Sequence, residues 1–580
     1  MGTHKISINC NRYFLILYVV ILIILLIFTL YIASSNIRYR YNGPLTFGLF
    51  VLLPFSIIFL IVAILMYLHL HLRFIYVFLF SFSFLIKYLV PYYLFNGHVN
   101  YDTPVHYLAS LYLRDYGIET SYHYHLWPLW LILNAIFDEI SRINYPLNVS
   151  IVAIIARFLV TLFVYIILKH LFTDNKIILI AMWIHLIFEP VIIHPAPQIV
   201  AFTMLILLIY LLVTQFVKDD KKIHFLLILI FTAILLYHAT LPLAFLMPLG
   251  TLVILQTLTS KIKINNHIYN KRHLYVLLII FGTATILYNA YIALFVTKSI
   301  VRTIDMLLQG GYTRLDVYSI IINDHLLNQQ YLLIQIINRL AMVLLLFIPS
   351  FTISLYLLLK SKKLTSAKME KLVFIILIFA GVNGLLYLFF GIYIQLGLVE
   401  RFYQVALVLS PILTAYFYLR IDMTYYKNFL LRIITRFLLI CVFIFLPLSI
   451  FTSSAYVSLY IDAFSDADIN LAKWVSLHLP ESNVYLDGNN RLNQLIVLYA
   501  YPHHIYKVNL TITRIMEKNV IESSYKYPPS TIISLRILLP LVASTVPGLS
   551  DDKLRNYIDT LPNYLHKVFS NGATEVFVAT

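Results

Sequence analysis

Thirteen runs of about twenty predominantly apolar residues punctuate this sequence, and that many spans of hydrocarbon length have no place in a soluble core. They begin near Tyr13, Pro44, Phe74, Val149, Lys176, Pro197, Ile223, Leu241, His273, Tyr331, Leu372, Phe402 and Leu430. The Lys176 run is the shortest, ending at Ile187-Phe188-Glu189-Pro190. The Ile223 and Leu241 runs meet at Tyr237-His238-Ala239-Thr240-Leu241-Pro242, which reads as a tight turn. Only 12% of the 580 residues are charged and 61% are hydrophobic, whereas an ordinary soluble domain carries about 25% charged residues. Lipid must cover most of such a surface. The first run, Tyr13 to about Ser34, exceeds the 7–15 residues or so of a signal-peptide core and is read as a true span. Cys10 and Cys441 imply no disulfide framework.

A formal charge of +16 would point to a polyanion partner in a soluble protein. Here Lys and Arg are mostly confined to short loops between apolar runs, so the charge sets orientation and no nucleic-acid partner is expected. With the N-terminus inside, Lys218/Lys221/Lys222, Lys261/Lys263/Lys271/Arg272 and Lys360/Lys362/Lys363/Lys368/Lys371 all fall on the cytoplasmic side. The balance is about 20 basic residues inside against about 8 outside. An odd number of spans then leaves the tail outside. The expectation is an α-helical polytopic membrane protein of about 13 transmembrane helices over residues 1–452. A small soluble α/β extracytoplasmic domain follows over 453–580, and the cell membrane is the location. Long outer loops are expected at 96–148 and 298–330. The sequons at Asn148 and Asn509 both fall on the outer side.

In the first outer loop, Asp102-Thr103-Pro104 reads as a helix start, with Asp as cap and Pro in the first turn. The helix runs to about Asp115 and Gly117 ends it. Asp102, His106 and Ser110 then lie near one edge; Asp102 is either only a cap or a functional carboxylate. His123 and His125, two apart, point away from each other on a helix and make a poor metal pair. Tyr122-His123-Tyr124-His125-Leu126-Trp127-Pro128-Leu129-Trp130 leads an apolar stretch ending near Phe137, too short to span and suited to the membrane interface.

Ionisable groups inside apolar runs are costly and tend to serve function. Lys87, Arg157, His185, Glu189, His194, His238, Arg339, Glu400 and Arg401 all gather toward the outer half of the bilayer. Snorkelling accounts equally well for Lys87 and Arg401. Arg157 and Arg339 lie deeper, and structural pairing with a carboxylate is the rival reading for them. Several Arg and a Lys around an outward-opening cavity match phosphate oxygens through their donor forks.

With these features the chain resembles the polytopic glycosyltransferases of the GT-C fold, which use lipid-phosphate-linked sugars. The resemblance rests on five features: Tyr101-Asp102-Thr103-Pro104 in the long first loop, the Tyr-His-Leu-Trp-Pro-Leu segment along the membrane, the Arg157-bearing span, Glu400-Arg401-Phe402-Tyr403 opening a late span, and the soluble tail. It implies that Asp102 is the catalytic base or orients the acceptor, and that an outer basic residue such as Arg401 holds the lipid phosphate. Asp102 stands without the paired acid of many members, and Glu189 is the candidate for the second carboxylate. Two extra spans precede the first-loop helices, and the tail lacks the Trp-Trp-Asp-Tyr-Gly motif of oligosaccharyltransferases, which favours single-sugar transfer.

The expected partners are a polyprenyl-phosphate sugar donor, a glycan or lipid acceptor, and membrane lipid. Asp102 and Glu189 are expected in catalytic roles, with His106, Arg157, His238, Arg339, Glu400, Arg401 and Lys87 binding substrate. A divalent metal, Mg or Mn, bridging Asp102 and Glu189 is an open expectation. The alternatives are a non-enzymatic flippase or carrier of lipid-linked saccharides, which should place polar groups through both bilayer halves, and a surface polysaccharide polymerase or ligase. Ile- and Tyr-rich composition with few cysteines suggests an archaeal source. In the tail, Asp468 to Leu479 reads as an amphipathic helix, 483–488 as a strand and turn, Asp551 to Phe569 as a helix, Asn571-Gly572 as a turn and Thr574 to Ala579 as a strand. Asp487 reads as a turn former. In the second loop the Gly310-Gly311 pair suggests a mobile lid.

Overall fold

The computed structural model describes residues 102–117, 128–143, 145–188, 196–218, 220–261, 271–293, 301, 342–360, 368–393 and 397–424. In the tail it describes short stretches within 469–476, 484–486, 498–499, 532–536, 565–570 and 574–579. The expected spans near Tyr13, Pro44, Phe74 and Leu430, the 298–330 loop apart from residue 301, and the sites Lys87, Glu189 and Arg339 lie outside the described residues.

Helix α1 (Asp102–Tyr116) starts at the Asp-Thr-Pro signal and stops where Gly117 takes φ +82. Its amide there donates to the Leu113 carbonyl at 2.9 Å, closing the last turn. Helix α2 (Pro128–Ser141) follows, then α3 (Leu147–Leu171), α4 (Asn175–Phe188), α5 (Pro197–Lys218), α6 (Lys221–Tyr237), α7 (Leu243–Lys261) and α8 (Lys271–Leu287). A wide turn, Tyr288–Ile292, extends α8, and another, Met342–Phe347, leads into α9 (Ile348–Lys360). Last come α10 (Lys368–Tyr393) and α11 (Gly397–Thr424). Leu147–Leu171, Pro197–Gln215 and Arg272–Ile292 are each long and apolar enough to cross a membrane; Lys222–Tyr237, Leu243–Leu258 and Leu372–Leu388 are shorter apolar helices.

The described connections at 172–174 and 238–242 are short and turn the chain back between α3 and α4 and between α6 and α7. Lys169 donates to Asn175 at 2.8 Å across the α3–α4 turn. The Asp220 side chain caps α6 by accepting from the Lys222 amide at 2.9 Å. At that same end the His224 and His273 rings meet edge-on at 4.6 Å, joining the starts of α6 and α8. The exposed Lys169, Lys222 and Arg272 belong to this end. At the opposite end the Asn289 amide donates to the Ala239 carbonyl in the 238–242 turn at 3.4 Å. Gln198, opening α5, donates to Gln404 near the start of α11 at 3.1 Å.

Between the ends the core is aliphatic and aromatic. Phe231 and Phe281 stack at 4.0 Å, and Phe245 meets Phe379 at 5.2 Å, which ties α6, α7, α8 and α10 together. Buried polar side chains add directional ties: Thr203 donates to the Ala156 carbonyl, Asn383 to the Ala244 carbonyl, and Ser354 to the Leu413 carbonyl. Such ties matter where water offers no alternative partner. Gly381 and Gly384 lie flat against Phe351 and Phe347, and a methyl group at Gly384 would overlap the Phe347 ring.

In the tail, Ile469, Ala472 and Ser476 are buried, the i, i+3, i+7 spacing of the amphipathic helix read there. Strands β1 (Val484–Leu486), β2 (Ile532–Arg536), β3 (Leu565–Ser570) and β4 (Thr574–Ala579) form one sheet in the order β1-β2-β4-β3. β1 pairs parallel with β2, and the other pairings are antiparallel. The helix expected to reach Phe569 is corrected at its end, because 565–570 is strand. Asn571-Gly572 lies in the short connection to β4, and hairpin pairing there outweighs local helix preference.

Candidate functional site

The end of the bundle opposite the basic loops carries α1 and α2 against the start of α3. His106 is buried on α1, one turn beyond Asp102. His238 sits in the turn after α6, its amide held by the Ile234 carbonyl at 2.8 Å. Arg401, half-buried on α11, keeps its Nε out of solvent. The three come from segments far apart in sequence, and Arg401 and His106 each lie within electrostatic reach of His238. Packing around the His238 ring holds its pKa well below the usual imidazole range, and the Arg401 charge and His106 push it the same way. His238 is therefore neutral at pH 7, and Arg401 supplies the positive charge.

Depth can be read from the helix contacts. Arg401 is three residues above Gln404, which bonds Gln198; Gln198 is five residues above Thr203, which bonds the Ala156 carbonyl. At 1.5 Å per residue Arg157 lies about 12 Å deeper than Arg401. It is 2% exposed, so it belongs to the floor of this end and not to the His106–His238–Arg401 layer. His185, also buried, is in the last turn of α4 at about the same depth. Asp102 opens α1 and Glu400 lies on α11 beside Arg401; their side chains are outside the described residues.

The carboxylate that organises this end is one the sequence reading passed over. Asp138 of α2 accepts from the Tyr107 hydroxyl at 2.8 Å and from Asn148 at 2.9 Å on one oxygen. Its other oxygen accepts from Arg114 at 3.2 Å. Burial, and then the Asp138 bond and charge, raise the Tyr107 phenol above its usual range, so it stays a donor. The Tyr107 ring stacks on Tyr145 at 4.9 Å. Tyr107, Leu111 and Val149 form a small apolar cluster with Leu498 from the tail. Asn148 is 1% exposed, so this sequon is part of the packed interior and offers no acceptor for a glycan in the folded protein. Trp130, expected at the interface, is likewise fully buried.

Two imidazoles and a guanidinium do not suit a hard divalent cation, which takes oxygen ligands. Among the described residues there is no group of three or more His, Cys, Asp or Glu placed to hold a metal. The described molecule is thus a helical protein with helices of membrane-crossing length and a polar cluster at the end away from its basic loops. No family model and no curated protein matches the chain.

Proposed function

We propose that this protein is a polytopic membrane glycosyltransferase of the GT-C kind. It moves a sugar from a polyprenyl-phosphate-linked donor to a glycan, lipid or protein acceptor at the outer face. The observation that carries the reading is the convergence of His106, His238 and Arg401 beside the helix that Asp102 opens. In this reading the acceptor hydroxyl attacks the anomeric carbon while the bond from that carbon to the phosphate oxygen breaks. The hydroxyl proton passes to Asp102, and the departing phosphate is met by the Arg401 guanidinium. The neutral His238 ring and the buried His106 ring are suited to hydrogen-bonding sugar or phosphate oxygens. Arg157 would form the charged floor below. No step runs through a metal.

The topology belongs to the same proposal. Thirteen spans with the basic loops in the cytoplasm put the His106–His238–Arg401 layer on the outer side. Leu498 packs on α1 and α3, which supports a tail on that same side, with the four strands and the 469–476 helix as its small α/β domain.

The test is incubation of the purified protein with polyprenyl-phosphate sugars and a glycan acceptor. Turnover is expected, lowered about 10²–10⁴-fold by Asp102→Asn and about 10²–10³-fold by Arg401→Gln. Transfer that persists unchanged in Asp102→Asn and Asp102→Ala removes the catalytic assignment. Absence of turnover together with lipid-linked saccharide transport removes the transferase reading altogether.

A further inference from the structure

The Asp138 carboxylate holds three donors from two other elements at once. Tyr107 and Arg114 both come from α1, seven residues and two turns apart, so they lie on one face of that helix. Asn148 comes from the first turn of α3. Bonds from one face of α1 to a carboxylate that also holds α3 resist sliding and rolling of that helix against its neighbours. His106 immediately precedes Tyr107, and Asp102 is one turn earlier, so the same grip fixes where both are presented. With side-chain atoms about 5–6 Å from a helix axis, a roll of about 20° moves them about 2 Å. Displacements of that size cost reacting groups their alignment.

We infer that Asp138 is the positioning residue of the site: by accepting from Tyr107, Asn148 and Arg114 it sets the roll of α1 and so where that helix carries positions 102 and 106 at this end of the bundle. Its chemical consequence rests on the transferase reading; its mechanical part does not. The exposed Arg114 shares its charge with Asp115 at 2.8 Å, so Oδ1, with its Tyr107 and Asn148 donors, carries most of the grip. Asparagine at 138 retains that oxygen and alanine does not.

The experiment uses the full-length protein in lipid nanodiscs and reads two quantities. The first is hydrogen exchange over 102–116 compared with 147–171. The second is kcat and donor KM with a polyprenyl-phosphate sugar. Asp138→Ala is expected to raise exchange in 102–116 selectively and to lower kcat about 10–100-fold with donor KM within about twofold. Asp138→Asn is expected to restore both to within about threefold of the parent, and Tyr107→Phe to fall between. If the parent shows no transfer at all, the transferase reading fails, and selective exchange in α1 of Asp138→Ala still upholds the positioning role. Unchanged exchange in α1, or a kcat loss that Asp138→Asn does not relieve, overturns the inference. Should Asp138→Ala not fold, Tyr107→Phe carries both measurements alone, and its failure to raise α1 exchange is equally fatal.

Discussion

A neutral His238 beside Arg401 ties stability to acidity in a definite direction. The folded-state pKa is depressed, whereas in the unfolded chain the imidazole titrates near 6.5. Below about pH 6.5 the unfolded chain therefore binds a proton that the folded site resists, and stability falls as the pH drops. Thermal unfolding followed in detergent between pH 7.5 and 5 should show this loss, and His238→Gln should make the slope shallower. An unchanged slope would remove His238 as its source. Gly384 makes a second residue-level prediction. With Phe347 against its backbone, Gly384→Ala should destabilise by about 1–3 kcal/mol, seen as a lower midpoint in the same melt. Gly282, with open space where a Cβ would go, is the control site.

Among the elements, α1 was the most legible in sequence. Asp102-Thr103-Pro104 marks its start, and Gly117 its end through a positive φ that other residues avoid. The 237–242 turn and the 574–579 strand were legible for the same reason, since their signals are local. Asp138 was not, because its partners stand 31, 24 and 10 residues away, and nothing in Phe137-Asp138-Glu139 distinguishes it from the polar edge of an amphipathic stretch. The meeting of His238 with Arg401 was not legible: sequence put each at the end of its own apolar run, and only packing brought them within electrostatic reach. Replacing Leu498 with Asp puts an unpaired charge into the cluster with Tyr107, Leu111 and Val149. Local loss of order in α1 should follow, with faster amide exchange over 102–116 while α5 is unaffected.

For the whole molecule, the separation of charge along the bundle is the feature with most consequence. Exposed Lys169, Lys222 and Arg272 mark one end, and the other holds the His106–His238–Arg401 cluster, so the side on which each end lies is open to a direct labelling test. Single cysteines introduced at the exposed Lys222 and Arg272 positions should be protected from an impermeant thiol reagent in sealed cells, and one introduced at the exposed Tyr116 should react. The reverse pattern would invert the molecule and place the His106–His238–Arg401 end on the cytoplasmic side. Three of the runs read from sequence, Leu147–Leu171, Pro197–Gln215 and Arg272–Ile292, are helices of membrane-crossing length among the described residues, and those were legible as elements. Their arrangement was not legible, because apolar periodicity says nothing about which helix packs beside which.

Leu498 also sets a clock. Chains are made from the N-terminus at about 5–20 residues per second, so α1 leaves the ribosome about 20 to 75 seconds before the residue that completes its seat. Until then Tyr107, Leu111 and Val149 wait with one wall missing. The end that carries α1 is thus completed only when the tail is made, and a nascent chain released before that would leave Tyr107, Leu111 and Val149 without the Leu498 side of their cluster.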